Sequence, residues 1–212
     1  TQLNSSHFQD LPNAVIGYNI PKYIFNIFGK YKNLAKSDLI ARQGHSLVAI
    51  EHFRVFWEIS SCNNYYHLYN GCDYSQFYTQ YRDISLFGID GNLVKYHKSS
   101  VLRNSSFQFE IGVGFGRRGD VLDTQILKKN SIFTSVGLAF PGITEKDSIV
   151  ILSFTNSILV QYIINLYCGQ HKQAGYLNLL PFPKPESNEI AILFSWIFKA
   201  IELKRFWISI DE

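Results

Sequence analysis

The spacing of apolar residues changes character along the chain. In "IPKYIFNIFGK", Ile24, Phe25 and Phe28 fall at helical spacing behind Pro21, predicting a short amphipathic helix that Gly29 stops. Aromatic and β-branched residues dominate "FRVFWEI" (53–59), predicting a strand. "DISLFGIDGNLVKYH" predicts a β-hairpin with Asp90-Gly91 at its tip, where tight turns need positive φ. In "FQFEIGVGF", Phe107, Phe109, Ile111, Val113 and Phe115 alternate with polar residues and glycines, the pattern of a half-buried strand. "SIFTSVGLAF" predicts another strand. After residue 144 the period becomes helical. "TEKDSIVILSFTNSILVQYIINLYCG" predicts one or two helices, with a break near Asn156-Ser157. "LPFPKP" is a proline-ruled connector. "ESNEIAILFSWIFKAIELKRFW" predicts a final helix, 187–206, with a broad apolar face that includes Ile190, Phe194, Ile197 and Ile201. Strands in the middle and helices at the end predict an α+β fold. We expect a mixed or antiparallel twisted sheet with flanking helices over 1–185, and a helical C-terminal end, 186–212, acting as spacer or docking element.

Composition adds limits. Hydrophobic residues make up 46% and charged residues 17% of the 212, enough apolar material for a real core. The apolar run 149–152 ends at Ser153, too short to span a bilayer, so no membrane partner is expected. Cys62, Cys72 and Cys168 form no CxxC and leave one unpaired, which favours a reducing, cytoplasmic setting. The chain opens on Thr1 and contains no methionine, which suggests a piece of something longer.

Charge is concentrated locally. Residues 92–130 hold seven basic side chains (Lys95, Lys98, Arg103, Arg117, Arg118, Lys128, Lys129) against three acidic ones, a net +4 beside the whole chain's +3. Gly112, Gly114 and Gly116 leave one strand face bare, where a backbone or a phosphate could come close, and Arg117-Arg118 stand where that face ends. Guanidinium forks match phosphate oxygens and guanine edges. The bland alternative pairs the two arginines with Asp120 and Asp123 in a solvated turn. Residues 114–119 also match G-x-G-x-x-G, but a dinucleotide site needs a helix directly afterwards and an acid about 20 residues on. Upstream, "NNYYHLYNGCDYSQFYTQY" (63–81) sets seven aromatic rings among polar residues. Such a loop can stack bases or simply cover a sheet; Tyr74 and Tyr78, beside Ser75, are the candidates for contact.

Read in order, these stretches resemble the target recognition region of adenine-specific DNA methyltransferases of restriction–modification and phage-defence systems. "GHSLVAIEHFRVFWEI" is similar to that family's Gly-Leu-x-Thr…Phe…Arg…Trp-Glu segment, and "YNGCDYSQFYTQYRDISLFGIDG" to its Lys-Gly-Gly…Tyr…Asp-Gly segment, with Asn70 in place of the lysine. "VGFGRRGDVLDTQILKKNSIF" resembles its Thr-x-Pro-Arg-Arg…Ile-Phe segment, and "SFTNSILVQYIINLYCGQHKQAGYLNLLPFP" its Leu-Leu-Asn-Ser helix and closing Leu-Pro-x-Pro. The likeness covers roughly residues 40 to 185. It implies a DNA specificity domain whose partners are double-stranded DNA and the methyltransferase domain of the same parent chain. The parent would be an S-adenosylmethionine-dependent adenine-N6 methyltransferase. Arg117, Arg118, Lys95, Lys98, Arg103, Lys128 and Lys129, with Tyr74, Ser75 and Tyr78, would then face the duplex.

Chemistry of its own is not expected. No Asn-Pro-Pro-Tyr-like segment occurs to hold an exocyclic amine, and no G-x-S-x-G elbow occurs. His45 and His52 lack cysteines at zinc-ligand spacing. We therefore expect no catalytic residue, metal or cofactor in this fragment, with S-adenosylmethionine bound by the parent. The rival from another class is a protein-interaction module using the tyrosine loop and final helix.

Overall fold

A computed structural model describes residues 8–9, 11–14, 20–47, 53–60, 64–71 and 75–210. The fold is α+β, as the change of period predicts. Strands β1 (Phe53–Val55), β2 (Tyr65–Tyr69), β3 (Asp83–Leu86) and, further on, β6 (Ser131–Phe133) form a mixed sheet in the order β1-β3-β2-β6. Within it β2 and β6 are parallel and the other pairs antiparallel. Strands β4 (Gly112–Gly116), β5 (Thr124–Leu127) and β7 (Gly137–Pro141) form an antiparallel sheet, β5-β4-β7.

Helices pack on the outer face of the three-stranded sheet. They are α1 (Lys22–Lys30), α3 (Glu145–Thr155), α4 (Ile158–Tyr167), α5 (Ala174–Asn178) and α6 (Ser187–Ile210); the four-residue α2 (Asn92–Lys95) lies elsewhere. Val113, Phe115, Leu138 and Phe140 meet Ile149, Ile151, Leu152 and Ile164 in the main core, which also buries Ile190 and Ile197 of α6. A second cluster, Tyr69, Tyr81, Leu127, Phe133 and Ala139, joins the two sheets. A third, Leu68, Phe87, Val94 and Ile132, lies under α2.

Helices α3 and α4 break where Asn156-Ser157 predicts, with Ser157 capping α4 by accepting from Val160 N. Among the described residues no single helix is long and apolar enough to cross a membrane. The pair α3 and α4 is apolar enough together but bends by 71°, and Ile149, Ile151, Leu152, Ile163 and Ile164 sit in the main core, while Ile158, Leu159 and Tyr162 are exposed.

Several predicted elements differ in detail. Strand β1 stops at Val55, because the Glu58 carboxylate accepts from Val55 N at 3.0 Å and turns 56–58 into a 3-10 helix. Asp90 and Gly91 do take positive φ, 52° and 69°, yet they lead into α2 and not into a returning strand. Val94 has a pocket waiting in the third cluster, and that burial overrides the hairpin signal. The alternation from Phe107 is only partly strand: 105–107 is a 3-10 turn and Phe109 has φ 68°. "SIFTSVGLAF" divides into β6 and β7, which belong to different sheets. Helix α1 runs one residue past Gly29, and α6 runs to Ile210.

The glycine ribbon is not half-buried. Residues 112–115 are buried on both faces. Val113 and Phe115 face the helices, while a Cβ at Gly114 would sit 2.5 Å from the Tyr69 ring, and one at Gly116 would sit 3.0 Å from the Gly71 carbonyl oxygen. The bare face therefore admits the end of β2, and the chain's own backbone fills the approach that a phosphate would have used.

Side-chain amides complete what the short strands leave unpaired. Four of them each donate to the carbonyl and accept from the N–H of one residue: Asn178 on Ala41, Gln161 on Leu122, Asn156 on Thr124 and Gln108 on Phe133. Each acts as a one-residue strand partner, and for Ala41 and Leu122 it satisfies backbone groups whose loss would cost about 1–3 kcal/mol apiece, while Thr124 O and Phe133 O also accept from Phe77 N and His45 N.

Candidate nucleic-acid interface

Strand β5 is the open edge of its sheet, and residues 75–81 run alongside it. Phe77 N donates to Thr124 O, Ile126 N donates to Phe77 O, and the Tyr81 hydroxyl donates to Ile126 O. The turn at its start is fixed from inside: the Tyr69 hydroxyl bonds Gln125, whose amide donates to Ser75 O, and Ser75 Oγ donates to Tyr78 O at 2.8 Å. Ser75 is buried, and its hydroxyl is committed within the turn.

Helix α6 lies over this segment, and between them two adjoining clefts open. The first, of about 870 Å³, holds Gln76, Arg118, Asp120, Asp123, His171 and Lys204. Its floor is tied to the loop after α4. Arg118 bridges His171, Gly119 N donates to Gln170 O, and Lys172 N donates to Arg117 O at 2.7 Å. The buried Lys172 ammonium donates to Gly119 O and Gly169 O, at 2.9 and 3.0 Å. Burial pushes the Asp123 carboxyl above its ordinary range, and Lys204 partly offsets this. Burial likewise raises the Cys168 thiol, against a smaller lowering by Lys172.

The second cleft, of about 540 Å³, holds Phe56, His67, Tyr78, Lys128, Arg205 and Phe206. Lys128 Nζ stands 5.0 Å from the Tyr78 ring centroid and 4.7 Å from that of Tyr81. The Arg205 guanidinium stands 5.6 Å from the Tyr78 centroid. Among the described residues no carboxylate lines this cleft. Burial lowers His67 from its ordinary range, and the Lys128 charge lowers it further.

Of the residues singled out from sequence, Arg118, Ser75, Tyr78 and Lys128 come together along this edge. Arg117 is half-buried beside Arg118. The register of β4 with β5 sets Arg118 and Lys128 at opposite ends of the pair, roughly 23 Å apart at about 3.3 Å per residue. Lys204 and Arg205 of α6 bridge that gap. Lys129 is exposed in the turn before β6. Lys95, Lys98 and Arg103 are exposed near α2 and line neither cleft. Arg103 N donates to Nδ1 of the buried His45 at 2.9 Å. Tyr74 and His52 lie outside the described residues.

Sequence reasoning missed His67, Lys172, Lys204, Arg205 and Phe206. "KRFW" (204–207) carries a signal, a cation pair against two aromatic residues, but its place late in a helix reads equally as a match to the helix dipole.

No helix follows Gly119; the chain passes through a loop into β5, so the G-x-G-x-x-G match is not a dinucleotide turn. Among the described residues no three His, Cys, Asp or Glu side chains converge as a metal site. No protein-family model matches the chain, and no curated protein matches it.

Proposed function

We propose that this chain is the DNA target recognition region of a larger adenine-N6 methyltransferase of a restriction–modification or phage-defence system, with catalysis supplied outside it. The observation that carries the reading is the line of Arg118, Lys204, Arg205 and Lys128 along adjoining clefts at one edge. Four cations in a row suit a duplex backbone, whose phosphates dominate affinity. Arg118, exposed at the end of its strand, has the reach to read a base edge. The domain clamps the duplex, and the parent's methyltransferase domain binds S-adenosylmethionine and receives the flipped adenine. The outer face of α6, where Ile192, Trp196, Leu203 and Trp207 are exposed, docks on that domain.

Duplex affinity measured against salt tests this. Binding should weaken steeply, with the slope falling by about one for each of Arg118→Ala and Lys204→Ala. Duplex affinity that ignores salt and both substitutions would transfer the site to a protein partner.

A further inference from the structure

The second cleft is built differently from a plain phosphate track. Two cations, Lys128 and Arg205, converge on the single ring of Tyr78, and among the described residues no carboxylate neutralises them. Their mutual repulsion favours an anion between them. Beside them stand two exposed rings, Phe56 at 45% and Phe206 at 60% of full exposure, facing one space. Rings left in water beside cations that no described carboxylate offsets fit a ligand that is both flat and anionic. An acidic peptide would use the cations and leave the rings idle. An apolar peptide would use the rings and strand the charges.

We propose that this cleft binds one unstacked nucleotide: its phosphate between Lys128 and Arg205, and its base stacked on Phe206 or Phe56. The volume of about 540 Å³ accommodates a single nucleotide with water. The site deepens the DNA-binding reading, since a strand bent along this edge would place a displaced base here. A free nucleotide offers the same chemistry.

The test titrates the 212-residue chain with deoxyadenosine monophosphate, deoxyadenosine, inorganic phosphate and a phosphotyrosine peptide, followed by calorimetry and by the amide signals of Tyr78 and Tyr81. The monophosphate should bind at least about tenfold more tightly than either half alone. Phe206→Ala should weaken the monophosphate about tenfold and leave phosphate unchanged, whereas Lys128→Ala should weaken both. Phe56→Ala serves as the second variant if the first does not fold. Equal affinity for monophosphate and inorganic phosphate overturns the proposal, as does displacement of the monophosphate by lower concentrations of the peptide. A duplex carrying one 2-aminopurine separates this claim from the last. Salt-sensitive duplex binding with no monophosphate binding and no fluorescence rise sinks the nucleotide cleft and leaves DNA recognition standing. Monophosphate binding without duplex affinity keeps the cleft and removes DNA recognition; the ligand is then a free nucleotide.

Discussion

The two clefts share their walls, the 75–81 segment and the end of α6, and differ in how their charge is balanced. Around Arg118 and Lys204 stand Asp120 and Asp123, so the first cleft is close to neutral. Around Lys128 and Arg205 stand aromatic rings, so the second keeps its positive charge. They also differ in how their walls are held. The floor of the first is pinned by a buried ammonium between two carbonyls, whereas Phe56 and Phe206 of the second are exposed. A cation count from sequence treats both as one basic patch. The structure makes the first a charge-balanced corner and the second a cationic one lined by rings.

The largest effect should come from breaking the pinned corner. Lys172→Met leaves Gly119 O without that donor and Gly169 O with only the weak Cys168 thiol, and we expect a loss of about 3 kcal/mol in unfolding free energy, read by denaturant titration. The turn carrying Arg118 should loosen first, detected as faster amide exchange at Gly119.

Acid should act on the fold away from both clefts, at the buried His45 stacked on Phe87 of the third cluster. Burial lowers His45 from 6.5 to about 4. Between those values the unfolded chain binds a proton that the folded chain refuses. Stability contributed by the neutral, buried ring is therefore present above pH 6.5 and lost as pH falls toward 4, by about 3 kcal/mol. Asn at this position supplies an acceptor for Arg103 N without a titrating ring, so His45→Asn should flatten that part of the pH–stability curve.

The smallest effect sharpens the contrast in charge. Asp123→Asn should make the first cleft resemble the second, raising duplex affinity about threefold at low salt, with the gain fading at high salt. The raised carboxyl sets the pH dependence: the variant's advantage over wild type should shrink as pH falls, because wild-type Asp123 then takes up its own proton.

Much of the fold was legible because burial there is local and periodic. The α3–α4 break reads directly from Asn156-Ser157, because the Ser157 hydroxyl joins the two helices within three residues, donating to Phe154 O and accepting from Val160 N. The divided strand β6–β7 and the entry into α2 were not legible. Both depend on pockets formed by residues far away, Phe133 beside Tyr69 and Val94 beside Ile132. At the site, Arg118 and Lys128 were visible as a basic cluster, but their partners were 76 or more positions away in sequence, on α6.

The sequence by itself determined the class of fold, the helical end, the concentration of positive charge and the need for glycine on alternate positions of β4. Periodicity, composition and the size of a side chain are properties of neighbours along the chain. Only the tertiary structure decided that the bare face is filled by Tyr69 and Gly71, that Ser75 turns inward, and that Lys204 and Arg205 complete the row of cations. Those outcomes depend on which distant surfaces meet, and that is set by close packing of the whole core.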